Sequence, residues 1–366
     1  MKQWLETRQV LDRLEALTRK GRSAALATVV RVRGSAYRRE GAKLLVADDG
    51  TTIGNVSGGC LELDVREVAL AVLGSGEAQL RTYCSTNDEV SAWDLGLGCE
   101  GQVEIFVEPA TDARTHERGR LAGRAPFAVC TVVSGPKAAV GSRMTVTTVS
   151  TDGSLGAAAL DARVIERARA LIRDGRSSLW DFDGVAVFVE SLLPPPQLVL
   201  CGAGEDARPL ARLAAEIGFQ VVVVDRRSGY LSESNFPAGV ARVESDGERL
   251  LERVAIDASC YAVVMTHNFA DDRAYLRALV ATPAPYIGIL GPRRRTERIL
   301  TLLEGEVALD DSQRVRLHGP VGFDLGADGA EQVALAVLAE ILAVHAGKNG
   351  RPLRERKSSI HGRDDD

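Results

Sequence analysis

Two glycine-rich stretches of this sequence combine backbone freedom with side chains that can do chemistry. The first is Gly58-Gly59-Cys60, which places a thiol directly after two glycines and at the predicted start of a helix. The positive end of a helix dipole and its free backbone N–H groups favour a thiolate, and glycines allow a ligand to approach closely. We therefore predict that Cys60 is functional; the alternative is a small buried hydrophobe.

The second stretch is a G-x-G-x-x-A turn over residues 202–207, between an apolar run and a helical pattern. In a dinucleotide-binding turn, Gly202 makes the tight bend, Gly204 lets a pyrophosphate approach, and Ala207 lets the helix pack on the strand. Asp225 ends the next apolar run, at about the distance of a ribose-binding carboxylate. The alternative is a doubly wound sheet whose glycines serve packing alone.

Charged residues near this turn modify that prediction. Glu205 and Asp206 fall at the helix start, where negative charge repels a pyrophosphate, so we expect at most weak dinucleotide binding and no hydride transfer. His267 follows a buried run, at the strand edge where open α/β sheets bind ligands. It either contacts a ligand or makes a structural hydrogen bond. The arginines at 293–295 either bind phosphate at a helix start or form a solvated turn.

The six cysteines show no C-x-x-C pair and no regular spacing, so neither a disulfide framework nor a structural zinc site is indicated. Cys99 and, less strongly, Cys84 are further functional candidates, because they lie in a glycine-containing stretch over residues 81–99. The other three cysteines lie in apolar runs and are predicted to be core residues: Cys130, Cys201 and Cys260.

The apolar runs predict an α/β protein with two domains. Prolines 194–196 predict a stiff linker over 194–197, between an N-terminal α/β domain over 1–193 and a C-terminal Rossmann-like, doubly wound domain over 198–346. The charged, aperiodic segment 347–366 is predicted to be a disordered tail.

The N-terminal domain is predicted to consist of two related halves. Residues 41–46, with the pairs 49–50 and 53–54, resemble residues 141–146 with the pairs 152–153 and 155–156. The second half has no counterpart of Gly58-Gly59-Cys60, none of Ser35 with Arg38, and little of the stretch 81–99. Extra loop length on a compact scaffold favours function. Chance similarity of apolar patterns is the alternative.

Composition narrows the class of protein. The net charge of −5 argues against a nucleic-acid partner held by a basic surface. The sequence shows no signal peptide and no uncharged apolar stretch of membrane-spanning length. We therefore expect a cytoplasmic protein with reduced thiols and no membrane partner.

Motifs in both predicted domains resemble, in order, those of the XdhC/CoxI family, accessory proteins of xanthine dehydrogenase and related molybdenum hydroxylases. The N-terminal matches are residues 34–38 (GSAYR), 41–46 (GAKLLV), 57–62 (SGGCLE) and 96–99 (GLGC). The C-terminal matches are the 202–207 turn, 266–268 (THN), 288–291 (GILG) with its arginines, and 318–322 (HGPVG). Two positions depart from the family: Tyr37 replaces a usual proline, and the turn continues Glu205-Asp206-Ala207 instead of His-Val-Gly.

The resemblance implies a cofactor-insertion chaperone more than a catalyst. Such a protein binds molybdenum cofactor, protects it during sulfuration and delivers it to an apo molybdenum hydroxylase of the xanthine dehydrogenase type. A cysteine desulfurase or another sulfur donor is the second expected partner, and we expect a homo-oligomer. The implied cofactor site in the N-terminal domain comprises Gly34, Ser35, Arg38, Lys43, Gly58, Gly59, Cys60, Glu62 and Cys99. Cys60 and Cys99 would be soft thiolates that contact molybdenum or carry sulfur.

Two other functions remain open from the sequence. One is an NAD(P)-dependent oxidoreductase that binds its nucleotide, or another nucleotide, through Gly202, Gly204, Asp225 and His267. That function lacks a complete catalytic constellation, because His267 and His318 are the only catalytic candidates there. The other is a scaffold that joins partner proteins without ligand chemistry.

Overall fold

The computed structural model describes residues 2–34, 36–84, 101–110, 114–136 and 139–355. The chain forms two compact units that divide between Pro194 and Pro195. The predicted linker ends earlier than expected, because Gln197 already belongs to a strand of the second unit. Residues 347–355 are described, and Gly350 lies against the ring of Phe323. The rest of the predicted tail lies outside the described residues.

The first unit begins with a helix and then alternates antiparallel strands with helices. Its described helices are α1 (Lys2–Thr18), α2 (Glu62–Ser75), α3 (Thr115–Leu121) and α4 (Ala158–Asp174). Its described strands are β1 (Ala24–Gly34), β2 (Lys43–Ala47), β3 (Thr52–Gly54), β4 (Gln79–Cys84), β5 (Gly101–Ala110), β6 (Phe127–Ser134), β7 (Arg143–Thr147), β8 (Thr151–Gly153), β9 (Ser178–Phe182) and β10 (Val185–Leu192).

These strands form two five-stranded sheets with one topology. The first has the order β3-β2-β1-β5-β4, and the second has the order β8-β7-β6-β10-β9. Each sheet carries a helix that follows its shortest strand, α2 in the first and α4 in the second. On β1, Ala25, Ala27 and Val29 pack in the core beneath α2, whereas Leu26 packs with α1. This alternation follows from the period-2 geometry of a strand.

The register of the two halves differs from the register that the sequence suggests. The sequence pattern matches the pair 152–153 to the hairpin turn at 49–50, but Gly153 ends strand β8 and corresponds to Gly54, which ends β3. Both glycines have positive φ. A Cβ at Gly54 would lie 2.2 Å from the carbonyl oxygen of Lys43, and one at Gly153 would lie 2.5 Å from that of Arg143. The predicted match was wrong because the two Asp-Gly pairs occupy different backbone positions. The pair 49–50 lies in a hairpin turn, whereas the pair 152–153 ends a strand.

The two sheets face each other across an apolar contact flanked by buried charge. Val30 and Phe106 of the first half pack against Val133 and Phe188 of the second. Two ion pairs then cross between the halves in opposite directions: Lys43 of β2 pairs with Glu190 of β10, and Arg143 of β7 pairs with Glu108 of β5. Because the partners occupy corresponding strands, the contact is nearly symmetric.

The second unit is a parallel, doubly wound sheet. Its described elements are β11 (Gln197–Cys201), α5 (Ala207–Glu216), β12 (Gln220–Asp225), β13 (Ala241–Glu244), α6 (Leu250–Arg253), β14 (Cys260–Val264), α7 (Phe269–Val280), β15 (Tyr286–Ile289), α8 (Arg293–Glu304), α9 (Asp311–Arg314), β16 (Leu317–His318) and α10 (Ala330–His345).

The strand order of this sheet is β13-β12-β11-β14-β15-β16, with all neighbours parallel. The chain leaves β11 toward β12 on one side, and β14 lies on the other, so the topological switch point is at the carboxyl end of β11. The prediction of a Rossmann-like domain is confirmed. Within the described ranges, no helix is both long and apolar enough to cross a membrane.

Candidate functional site

The carboxylate of Glu62 folds back to hold the turn that precedes α2. Its Oε1 accepts hydrogen bonds from the backbone N–H groups of Val56 (3.2 Å) and Ser57 (2.8 Å), and its Oε2 accepts one from the Ser57 hydroxyl. Burial raises the pKa of Glu62, but these hydrogen bonds outweigh burial and leave the pKa below its ordinary value. Glu62 therefore has a structural role, and its predicted contact with cofactor stays a prediction.

Ser57 lies at the centre of the same turn. Its Oγ accepts hydrogen bonds from the backbone N–H groups of Gly59 and Leu61, each at 3.1 Å, and the Cys60 thiol lies 3.6 Å away. α2 begins at Glu62, after Gly59, whose φ of +118° lies outside the helical region. The prediction that the helix begins at Cys60 was wrong by two residues. Cys60 lies on a bend before the helix, outside its first turn.

The glycines and the cysteine of this turn form an exposed surface. Gly58, Gly59 and Cys60 are all exposed. Gly59 has φ +118°, in the left-handed region that favours glycine, and no atom lies within 4 Å of where its Cβ would be. The thiol is therefore open to a ligand or a partner on this side.

A second loop lies against this turn. A Cβ at Gly58 would be 3.5 Å from Cγ of Tyr37, whose side chain is 72% exposed. The stretches 34–41 and 57–62, which the sequence separates, therefore meet at one surface. Side chains of both charge signs surround Tyr37, because Arg38 pairs with Glu6 of α1, and Glu40 accepts a hydrogen bond from the N–H of Val32 (3.0 Å).

A cavity of about 200 Å³ opens beside this loop. It is lined by Gln3, Glu6, Tyr37, Arg38, Arg39, Glu40 and Ala42. It offers an aromatic ring, two guanidinium groups and two carboxylates, a set that suits a planar heterocycle with an anionic group. Sequence reasoning missed Glu6 and Glu40, since each looks like an ordinary surface acid in the sequence.

The remaining predicted residues of the N-terminal site are distributed differently. Gly34 ends β1 and pairs with Gly101 of β5. Lys43 is 5% exposed and pairs with Glu190, so its charge is satisfied inside the protein, and its predicted contact with cofactor stays a prediction. Ser35 and Cys99 lie outside the described residues. Of the residues that are described, no three His, Cys, Asp or Glu side chains form a metal-binding group.

The first half has an additional segment where the second half has a tight hairpin. Strands β4 and β5 are separated by residues 85–100, which lie outside the description, whereas Asp183 and Gly184 alone join β9 to β10. On β4, the Tyr83 hydroxyl donates to Asp64 of α2 at 2.5 Å. Burial and the Asp64 carboxylate both raise the pKa of Tyr83. This contact fixes the end of β4 against the helix that follows the cysteine turn.

In the second unit, the predicted phosphate turn is held closely by the protein itself. Gly202 has φ +125°, and a Cβ there would lie 2.5 Å from the carbonyl oxygen of Met265 at the end of β14. The buried Asp225 carboxylate accepts hydrogen bonds from Ala203 N–H (2.9 Å) and from the Arg227 guanidinium (2.8 and 2.9 Å). Burial raises the pKa of Asp225, but its bonds to Arg227 outweigh burial and lower the pKa.

The two acids at the start of α5 also have partners. Asp206 Oδ2 lies 2.7 Å from Nε2 of His267, and Glu205 pairs with Arg208 at 2.8 Å. His267 has φ +60°, which is rare for a residue other than glycine. The Asp206–His267 contact bridges the loops on either side of the switch point. Nucleotide binding through Gly202, Gly204, Asp225 and His267 stays a prediction.

Two carboxylates, one buried and one half-buried, account for other motifs of this unit. Asp272 accepts hydrogen bonds from the Thr266 N–H (3.1 Å) and from Arg295 (2.5 Å), and burial raises its pKa. Arg295 is therefore occupied inside the protein. Glu340 accepts from the Tyr286 hydroxyl (2.6 Å) and lies 3.3 Å from Nδ1 of His318. Neither acid stands out in the sequence, since each is one of several in an ordinary helix.

Comparison with known proteins matches both units. A model described as the XdhC Rossmann domain matches residues 198–341, and one described as the XdhC and CoxI family matches residues 17–84 and 120–183. The chain is 32% identical over 332 residues to a probable xanthine dehydrogenase subunit of Bacillus subtilis, covering 90% of this chain and 95% of that one.

Two further similarities extend over most of the chain. The molybdenum cofactor insertion chaperone PaoD of Escherichia coli is 26% identical, over 88% of this chain and 84% of its own. A crystal structure of a xanthine dehydrogenase from Bacillus halodurans superposes with a TM-score of 0.75 at 27% identity, covering 94% of this chain and 99% of that one. The resemblance predicted from the motifs is confirmed, and this chain belongs to the XdhC and CoxI family.

Proposed function

We propose that this protein binds molybdenum cofactor as cargo, protects it during sulfuration and delivers it to an apo molybdenum hydroxylase of the xanthine dehydrogenase type. The names of its relatives support a role in the maturation of such an enzyme. The observation that supports a cargo site most directly is the contact between Tyr37 and Gly58. It joins the cavity beside residues 36–42 to the exposed Cys60 turn, so that one surface offers groups for both ends of the cargo.

The chemistry of the two parts is complementary. A pterin is a planar heterocycle whose ring N–H groups suit carboxylates, and its phosphate suits a guanidinium. The cavity supplies an aromatic ring in Tyr37, carboxylates in Glu6 and Glu40, and cations in Arg38 and Arg39. A thiolate is a soft ligand for a transition metal and a carrier of sulfur, and Cys60 is the exposed thiol nearest in sequence to the Gly58 contact.

The exposure of Cys60 also fits an exchange between proteins. A sulfur donor, such as a cysteine desulfurase, and a client hydroxylase must each reach the cargo in turn. Both proteins can reach a thiol on an exposed turn, whereas neither can reach a buried thiol such as Cys130. Homo-oligomerisation stays a prediction of this proposal.

The proposal is tested by Cys60→Ser compared with Cys130→Ser. Cys60 is exposed, so its replacement should change the free energy of unfolding by less than about 0.5 kcal/mol while lowering the amount of bound pterin and the reactivation of apo-hydroxylase. Cys130 is fully buried in β6, and burial raises its pKa to about 12. A serine hydroxyl there should destabilise the fold by ~1–3 kcal/mol, with cargo binding intact in the folded fraction.

Both variants should be purified from a molybdate-fed host and matched for folded protein, with bound pterin identified by mass spectrometry. A Cys60→Ser protein that retains and delivers cofactor like the wild type would contradict the proposed role of this thiol. A wild-type protein that carries nicotinamide and no pterin would replace the proposal with the oxidoreductase.

A further inference from the structure

The hydroxyl of Ser57 is a hydrogen-bond centre with four neighbours. Ser57 is 6% exposed. Its Oγ donates to Glu62 and accepts from the N–H groups of Gly59 and Leu61. The Cys60 Sγ lies 3.6 Å from the same oxygen. A hydroxyl has one proton and two acceptor lone pairs, so Glu62 and the two N–H groups already engage this one fully, and the thiol contact is the weakest of the four.

The fold does not require a hydroxyl at this position. Gly54 and Glu62 are eight positions apart, as are Gly153 and Asp161, so Ser57 corresponds to Gly156 in the second half. There Asp161 takes the role of Glu62, accepting from Leu155 N–H at 2.8 Å. The hydroxyl that donates to this carboxylate is on Ser154, two positions earlier in the turn than Ser57 is in the first half.

The hydroxyl instead binds the residues that follow it. In the second half α4 begins at Ala158, two positions after Gly156. In the first half α2 begins at Glu62, five positions after Ser57, because Gly59 has a φ of +118° that a helix does not allow. Ser57 Oγ accepts from the N–H groups on both sides of Cys60, so it holds the exposed residues 58–60 in this turn.

The direction of the Ser57 proton also orients the thiol. Because the Ser57 O–H donates to Glu62, it does not donate to the sulfur of Cys60, which lies 3.6 Å away. The sulfur therefore rests against the buried Ser57 side chain on one side, and the exposed residue leaves its other side open. We infer that Ser57 is a positioning residue that presents the Cys60 sulfur to the cargo. This inference rests on the proposed function of Cys60.

The test compares Ser57→Ala and Ser57→Gly with Ser154→Ala. Glycine is the residue that the corresponding second-half turn already accommodates, so Ser57→Gly guards against an alanine-specific folding defect. Ser154 provides the matched control, since its Oγ donates to Asp161 (2.7 Å) and accepts from Gly156 N–H (3.1 Å) in the half without a cysteine turn. Bound pterin per folded protein is the first readout.

The second readout is the rate at which iodoacetamide alkylates Cys60, measured by peptide mass spectrometry relative to Cys84. Cys84 is also exposed but ends β4 and is not among the four partners of the Ser57 hydroxyl. We expect both Ser57 variants to lower bound pterin and to change the Cys60/Cys84 rate ratio by roughly 5- to 30-fold, the range that one or two hydrogen bonds control. Ser154→Ala should leave both readouts at the wild-type level.

Two results would overturn the inference. One is a wild-type rate ratio and wild-type pterin in both Ser57 variants, while Cys60→Ser loses pterin. The other is an equal loss in Ser154→Ala, which would indicate general loosening of the unit. If the wild type binds no pterin, the proposed function fails, yet the alkylation ratio, which needs no cargo, still decides whether Ser57 positions Cys60.

Discussion

The two halves of the first unit share a topology and a carboxylate-held turn, but only one half presents a thiol. Glu62 and Asp161 anchor their turns in the same way. Beyond that anchor the halves diverge: residues 58–60 form an exposed turn before α2, whereas α4 has already begun at Ala158. A feature present in both halves belongs to the scaffold, and a feature present in one is a candidate for function.

The same rule separates the interior from the surface. The ion pairs Lys43–Glu190 and Arg143–Glu108 join the two halves from nearly equivalent strand positions. The helices that cover the two sheets differ on their outer faces. α2 exposes Leu63 at 67%, whereas Arg163 of α4 lies over the ring of Phe182, 5.2 Å from its centroid. The two halves therefore agree in the charges that join them and differ on their outer surfaces.

The largest expected effect concerns the charges that join the halves. Replacing Glu190 by Gln leaves Lys43 buried without a counter-charge, whereas replacing Glu108 by Gln leaves Arg143 and Arg114 with Glu117 as their remaining carboxylate. Breaking a buried pair from one side costs ~3–5 kcal/mol. We expect a loss of that size for Glu190→Gln in urea denaturation of the full chain, and a smaller loss for Glu108→Gln because Glu117 still neutralises part of the arginine charge.

The double variant Lys43→Met/Glu190→Met provides the control. Removing both charges leaves no unpaired ion, so it should cost much less than the sum of the two single changes. A Glu190→Gln protein as stable as the wild type would show that these pairs do not hold the halves together.

The next effect tests which glycines of the two halves correspond to each other. Alanine at Gly50 meets open space but must adopt φ +76°, which costs ~1–2 kcal/mol. Alanine at Gly54 or Gly153 meets the same backbone penalty and also overlaps a carbonyl oxygen, which adds ~1–3 kcal/mol. We therefore expect both variants to lose more stability than Gly50→Ala in urea denaturation. If Gly153→Ala lost no more stability than Gly50→Ala, the result would support the match of residues 152–153 to 49–50 that the sequence suggests.

Apolar periodicity and turn glycines are local signals, and for that reason they predicted the architecture well. They indicated the strands and the Rossmann turn. The helix start at Cys60 was misplaced by two residues, because Gly59 adopts a φ of +118° that the glycine-rich sequence allows but does not require. The ion pair of Lys43 could not be foreseen because its partner, Glu190, lies in the other half. A local sequence pattern does not indicate which distant residue pairs with a given charge.

The smallest expected effect compares the two anchoring carboxylates. Glu62→Gln and Asp161→Asn each weaken hydrogen bonds to a turn, at a cost of ~1 kcal/mol apiece. Only Glu62→Gln should also alter the Cys60/Cys84 alkylation ratio, since only Glu62 fixes the Ser57 hydroxyl that contacts the thiol. Equal Cys60/Cys84 alkylation ratios in the two variants would show that Glu62 affects the thiol no more than Asp161 does.

The pH dependence of the Glu62 variant sharpens that comparison. Because hydrogen bonds outweigh burial and place the folded pKa of Glu62 below its ordinary value of 4.5, the ionised carboxylate stabilises the folded state. This contribution to the free energy of unfolding is complete at pH values above the ordinary pKa of 4.5, and it is lost as the pH falls through the lower pKa of the folded state. The stability gap between wild type and Glu62→Gln should therefore be widest near neutral pH and should close in acid. A gap that stays constant from neutral pH to below 4.5 would mean that the charge of Glu62, as opposed to its shape, does not hold the cysteine turn.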